Sequence, residues 1–233
     1  MWSLSPTETQ ALLLSLKVAF WSVAASLPVA VALAWLLARR SFPGKSLLDA
    51  VVHLPLVLPP VVVGYFLLVI FGRRGVIGAF LDEHFGIVFA FRWTGAALAC
   101  AVMGLPLLVR AVRQSLDAVD RGLEAAAATL GASPPWVFAS VTLPLILPGI
   151  LTGMLLSFAR SLGEFGATIT FVSNIPGETQ TLPLAIYTFT QVPGGDAQAL
   201  RLCVLSIALS LAALMASELL LRRATGRVAG LDA

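Results

Sequence analysis

His53, His84, Cys100 and Cys203 are the side chains in this sequence with the widest range of chemistry, and their placement serves none of it. The two histidines lie in different regions, and a lone histidine makes no metal site. His53 reads as a hydrogen-bonded histidine near the end of an apolar segment. His84 follows Asp82-Glu83 in what reads as a polar loop. Each cysteine sits inside an apolar run, which fits a small packing residue better than a disulfide or a metal pair. No Gly-x-x-x-x-Gly-Lys stretch is present to cradle a phosphate. No serine–histidine or paired-aspartate set falls together. The sequence therefore predicts no covalent catalysis, no cofactor and no metal.

Two other groups of residues stand out. Arg160 and Glu164 are four residues apart, which puts their side chains on one face if the segment is helical. Both lie in an apolar surrounding, where charge is costly and turns toward a bundle interior or water. They form either a structural ion pair or, together with Phe165, an outer gate or a contact for a delivery protein. Gly163 and Gly166, on either side of Glu164, leave the chain free to bend. Pro55, Pro59 and Pro60 fall within another apolar run. Each proline removes a helical hydrogen bond, and the freed carbonyls need a neighbour or water. The run is expected to be a kinked helix, either packed in a bundle or lining a pathway.

Elements long enough to hold these residues in a membrane are plain from composition. Of 233 residues, 58% are hydrophobic and 12% charged, against about 25% charged in a soluble domain. That is too little polar surface for a water-soluble globule. The net charge of +3 is small, and the basic residues edge the apolar runs, so a nucleic-acid partner is not expected. A spanning helix needs about 20 mostly apolar residues. Five runs qualify: 11–38, 47–72, 93–112, 137–162 and 200–221. The first lacks a basic leader and is longer than the roughly 7–15 residues of a signal peptide's apolar core, so it is read as a retained span. Lys17 and Asp49 lie near run ends, where charge can reach the interface.

Basic residues orient the chain. Arg39, Arg40 and Lys45 follow the first run, Arg110, Arg113 and Arg121 the third, and Arg222, Arg223 and Arg227 the fifth. These share one side if the runs alternate, and that side is predicted to be cytoplasmic. Arg73, Arg74 and Arg92 fall on the other. The N-terminus is then outside and the C-terminus inside. The segment 163–199 lies outside, and 182–191 within it, bounded by Pro176-Gly177 and Pro193-Gly194-Gly195, is read as a short helix or re-entrant element.

The connection 113–136 is the longest polar stretch on the predicted inner side. Residues 123–130 are strong helix formers. Gly131 suits the left-handed position past a helix end. Ser133 can cap a second helix, with Pro134 at its first position. A short helix should stop, turn sharply and give way to a helix that re-enters the membrane. The alanine face would admit another protein closely.

Ten residues beyond Gly131 stands Val141-Thr142-Leu143-Pro144. Glu124-Ala125-Ala126, then Gly131, then this Leu-Pro pair resemble the cytoplasmic-loop signature of importer-type ABC permease subunits. Glu124 stands one residue farther from Gly131 than in the strict pattern, and Ala125 occupies the strict position. Further stretches resemble the molybdate-transport permeases within that family: Pro55-Leu56-Val57-Leu58-Pro59-Pro60, Arg160-Ser161-Leu162-Gly163-Glu164-Phe165-Gly166 with Asn174-Ile175-Pro176-Gly177, and Gln191-Val192-Pro193-Gly194-Gly195. Tungstate and sulfate permeases share much of this vocabulary.

The resemblance implies an all-α polytopic membrane protein, one permease domain over 1–233, with five spans and a coupling helix in the loop 113–136. It implies that Glu124, Ala125, Ala126, Ala127, Gly131, Ala132, Ser133 and Pro134 dock on an ATP-binding subunit. It also implies a second copy of the chain around a shared pore, a pair of ATP-binding subunits that hydrolyse the nucleotide, a periplasmic molybdate-binding protein and alternating access across the inner membrane. Two rival classes remain: a self-contained channel or secondary transporter, which needs coupling charges or an inverted repeat, and a membrane-embedded enzyme, which needs a catalytic set the sequence lacks.

Overall fold

The computed structural model describes residues 4–229, and their side chains up to 219 except at 217. The basic residues Arg222, Arg223 and Arg227 thus lie outside the described side chains. Among the described residues the chain is helical, without strands. Four helices are long and apolar enough to cross a membrane, and a fifth span exists if one bent pair is counted as a unit.

The first of these, α1 (Pro6–Arg39), begins at a reciprocal cap. The Ser5 hydroxyl accepts from the Glu8 amide, and the Glu8 carboxylate accepts from the Ser5 amide. Glu8 is fully buried and also receives Arg201 at 3.0 Å, so the first turn of α1 is tied to the last long helix. Lys17, well inside α1, places its ammonium 3.7 Å from the centre of the Trp93 ring.

The second run is not one kinked helix. It forms α2 (Lys45–Val57) and α3 (Pro60–Phe71), whose axes differ by 115°. Leu58 and Pro59 are both extended, with ψ of 143° and 132°. Each precedes a proline, whose ring disfavours the helical conformation at the residue before it. Pro55, whose predecessor Leu54 stays helical, does not break α2.

The expected loop around Asp82-Glu83 is helical: α4 (Val76–Phe85) carries both residues and His84, and ends at left-handed Gly86. The third span, α5 (Trp93–Ala118), runs past the predicted boundary, so the polar connection starts at Val119 rather than at 113. The hairpin helices α6 (Arg121–Thr129) and α7 (Pro134–Val137) follow, then a π-turn (Phe138–Thr142) and α8 (Leu143–Leu162). Two short helices, α9 (Gly166–Val172) and α10 (Leu182–Thr190), precede α11 (Asp196–Ala229). The short helix read at 182–191 is α10; α9 was not expected.

Packing divides the bundle along its length. Near the hairpin, Ala30, Ala34 and Leu37 of α1 meet Leu108, Val112 and Leu116 of α5 and Ile146 and Ile150 of α8. Toward the other end, Val63 and Leu67 of α3 meet Ala96, Cys100 and Met103 of α5 and Ala167 and Phe171 of α9. Small residues (Ala, Ser and Gly) recur on the buried faces of α1 and α5, so two long helices approach closely. In the absence of a hydrophobic drive between helices in lipid, such contact is what holds a bundle. A third cluster joins Ala11 to Leu182, Ala185 and Leu202, where Ser15 also accepts the Leu182 amide.

Candidate functional site

The hairpin between α5 and α8 is built by strong local signals. Asp120 caps α6 by accepting the Gly122 amide at 2.8 Å. At the other end Gly131 has φ +86°, its amide donates to Ala128 O, and the Ala132 amide donates to Ala127 O. These two bonds make a Schellman ending, which closes a helix through a left-handed residue. Nothing lies within 4 Å of the position a Cβ would take on Gly131, so backbone conformation alone demands glycine there. Ser133 occupies the cap of α7 as expected, but its side chain caps nothing. Pro134 and Pro135 fill the first two positions and carry no N–H to donate, which leaves the Trp136 amide as the one cap donor, and Ser133 does not accept from it.

None of the α6 residues is buried. Leu123, Leu130 and Trp136 are exposed, Leu130 to 89%. Ala127, Leu130, Gly131, Ala132, Ser133, Trp136 and Ser140 line a shallow depression of about 560 Å³. Large apolar side chains thus stand exposed on this short turn between helices. Ala125 and Ala126 are exposed on the same helix.

Glu124 faces the other way. Its Oε1 accepts from Arg39 at 3.0 Å and from the Thr142 hydroxyl at 2.7 Å. Thr142 is buried, and the Arg39 side chain is 11% exposed. Sequence reasoning counted Arg39 as an orientation charge and passed over Thr142. The only signal was that Thr142 sits inside the Val141-Thr142-Leu143-Pro144 stretch.

A second cluster lies in the other half of the bundle. Arg160 and Glu164 do not share a helix: α8 ends at Leu162, and Glu164 stands in the break before α9. Gly163, next to Glu164, takes φ −96° and ψ 5° and stops the helix. The pair forms nonetheless, Nη1 to Oε2 at 2.6 Å, with Glu164 2% exposed. Its other oxygen accepts the Ala167 amide at 2.8 Å, so Glu164 holds the start of α9 in place. The Phe165 ring packs 5.4 Å from that of Tyr187 on α10.

The α8–α9 break abuts the α2–α3 break. A Cβ on Gly166 would lie 2.8 Å from Pro60 Cβ, and one on Gly64 2.6 Å from Ala167 O. Pro59 and Pro60 thus meet the segment holding Glu164 and Phe165, while Pro55 stays within α2. At the far end of α2, His53 Nδ1 lies 2.9 Å from the Asp49 carbonyl, and Asp49 pairs with Arg113 at 2.9 Å. His53 is the hydrogen-bonded histidine the sequence predicts.

Among the described residues the bundle has broken spans, an exposed apolar hairpin and no assembled catalytic set. A sequence model of the family described as binding-protein-dependent transport system inner membrane component matches residues 27–226. The chain belongs to this family. It is 63% identical over 219 residues to the molybdenum transport system permease protein ModB of Escherichia coli strain K12, covering 94% of this chain and 96% of that one. The corresponding protein of Haemophilus influenzae is 60% identical over 216 residues, covering 93% and 94%. Among solved structures, a bacterial ABC transporter that imports the acidic polysaccharide alginate superposes with a TM-score of 0.73 at 16% identity, over 94% of this chain and 80% of that one. This likeness shows the fold alone. The protein is therefore a multi-pass membrane protein of the ABC importer permease family.

Proposed function

We propose that this chain is the membrane-spanning subunit of an ATP-driven importer of molybdate. The observation that carries the reading is its near full-length identity to proteins named for molybdenum transport. The exposed hairpin supports the rest: a permease without a phosphate-binding loop needs an outside source of work, and Leu130, Trp136 and the exposed Ala125 and Ala126 offer a place to apply it. Two ATP-binding subunits dock there, each on one copy of a homodimer. A periplasmic molybdate-binding protein delivers the anion at the opposite face. The hairpin side is cytoplasmic, the N-terminus outside and the C-terminus inside, a reading that the bias of the basic residues supports.

Transport proceeds by alternating access. Closure of the nucleotide subunits draws the two hairpins together and opens the outer mouth; hydrolysis reverses the motion. Each ligand shifts this balance only by binding one arrangement more tightly than the other. The abutting breaks of α2–α3 and α8–α9 form the outer gate, with Arg160, Glu164 and Phe165 at its joint and Pro55, Pro59 and Pro60 shaping the pathway helix. Glu164 is enclosed, which suits a gate better than a surface for the delivery protein.

Vesicles containing the permease and its ATP-binding subunit provide the test, with radiolabelled molybdate as cargo and tungstate and sulfate as competitors. ATP-dependent molybdate uptake that excess sulfate leaves intact is expected. Uptake of sulfate in preference to molybdate would overturn the cargo assignment. Because a deep site would slow release, the isolated permease should bind molybdate weakly; submicromolar affinity would contradict a passive, water-filled passage.

A further inference from the structure

We infer that Glu124, although it sits in the docking helix, is a positioning residue that clasps this helix to the permease's own membrane helices. The inference rests on the reading of the hairpin as the docking element, and it assigns Glu124 to the inner side of that element.

The exposed side chains of the hairpin and Glu124 point to different neighbours. Leu123, Leu130 and Trp136 face outward, whereas one oxygen of Glu124 receives both Arg39 and Thr142. Arg39 is the last residue of α1, and Thr142 closes the π-turn that leads into α8. One carboxylate thus joins α6 to two other elements, through residues 85 and 18 positions away in sequence. Among the described residues, no other α6 side chain makes a hydrogen bond or ion pair to another element. With no α6 residue buried, the apolar core cannot grip this helix. Movement imposed on α6 therefore reaches α1 and α8 along the chain and through Glu124.

The environment favours a strong link. The Glu124 side chain is 23% exposed and that of Arg39 11%, so water competes poorly for the pair. A hydrogen bond with an ionised partner is shorter and stronger than a neutral one. The π-turn places the clasp at a joint: such turns interrupt the regular hydrogen-bond ladder and recur at functional positions in helices. Thr142 anchors α6 to that joint, and Arg39 anchors it to the neighbouring span. A push on the docking surface then turns α8 relative to α1 rather than bending the hairpin alone.

The permease assembled with its ATP-binding subunit in vesicles provides the test, read as subunit affinity, ATPase rate and molybdate taken up per ATP hydrolysed. Glu124→Ala should leave affinity for the ATP-binding subunit within about twofold and lower uptake per ATP about tenfold, the scale of one lost hydrogen bond to a charged group. Thr142→Val should lower uptake per ATP less, and Thr142→Ser should restore it. The reversed pair Arg39→Glu with Glu124→Arg should regain uptake that either change alone loses. Leu130→Asp serves as the reference for lost docking. The inference is overturned if Glu124→Ala weakens subunit binding as much as Leu130→Asp, if uptake per ATP is unchanged, or if the reversed pair does no better than its single members. Retention of subunit binding by Leu130→Asp would instead refute the docking reading itself.

Discussion

The hairpin at 119–136 and the paired breaks at 58–60 and 163–165 both interrupt the membrane helices, and they do so in opposite ways. The hairpin leaves apolar side chains in the open: Leu130 is 89% exposed and Trp136 66%. The breaks bury a charge: Glu164 is 2% exposed, held by Arg160 and by the Ala167 amide. Exposed apolar surface is unfinished until a partner covers it. A buried carboxylate must be satisfied from within, because an unpaired one is costly. On the proposed function the first region depends on another protein, and the second on the fit of this chain to itself.

This contrast is open to attack by substitution, with stability of the isolated permease in detergent as the common measure. Gly64→Leu should have the largest effect, about 3 kcal/mol, because its side chain meets the Ala167 backbone rather than a movable group. Glu164→Ala should cost about 2 kcal/mol; it strands Arg160, which is itself 30% exposed and so partly rescued by water. Gly131→Val should cost about 1 kcal/mol through its positive φ, yet uncouple ATP hydrolysis from uptake. Trp136→Ser should change stability by less than about 0.5 kcal/mol while weakening association with the ATP-binding subunit. Thermal unfolding ranks all four. If Trp136→Ser destabilises the lone permease as much as Glu164→Ala, the division between the regions fails. Normal uptake and ATPase rate in Gly131→Val would remove the docking turn from the account.

The two regions also differed in how readily the sequence disclosed them. Gly131, Ser133 and Pro134 carry their meaning locally, since a left-handed ending and a proline start depend on a few adjacent residues. The hairpin is therefore readable almost residue by residue, apart from Ser133, whose side chain makes no cap bond. The spans were readable because hydropathy needs no partner. Pro59-Pro60 announced a departure from helix, but the 115° angle is reached with α3 laid against α9, and no local pattern encodes that contact. Helix α4 is too short and too mixed in composition to stand out from a loop. Glu124 could be placed on a helix but not given its partners, since Arg39 and Thr142 reach it only after α1, α6 and α8 have assembled. Arg160 and Glu164 were paired for the right chemical reason and the wrong geometric one, because the helix that was to align them stops at Leu162.

The most direct test is molybdate accumulation by vesicles that contain this permease with or without its ATP-binding subunit, under otherwise equal conditions. Accumulation against a gradient should require both the subunit and ATP, and should disappear when Leu130→Asp removes the docking surface. Uphill accumulation by the permease alone, with no nucleotide-consuming partner present, would contradict the account.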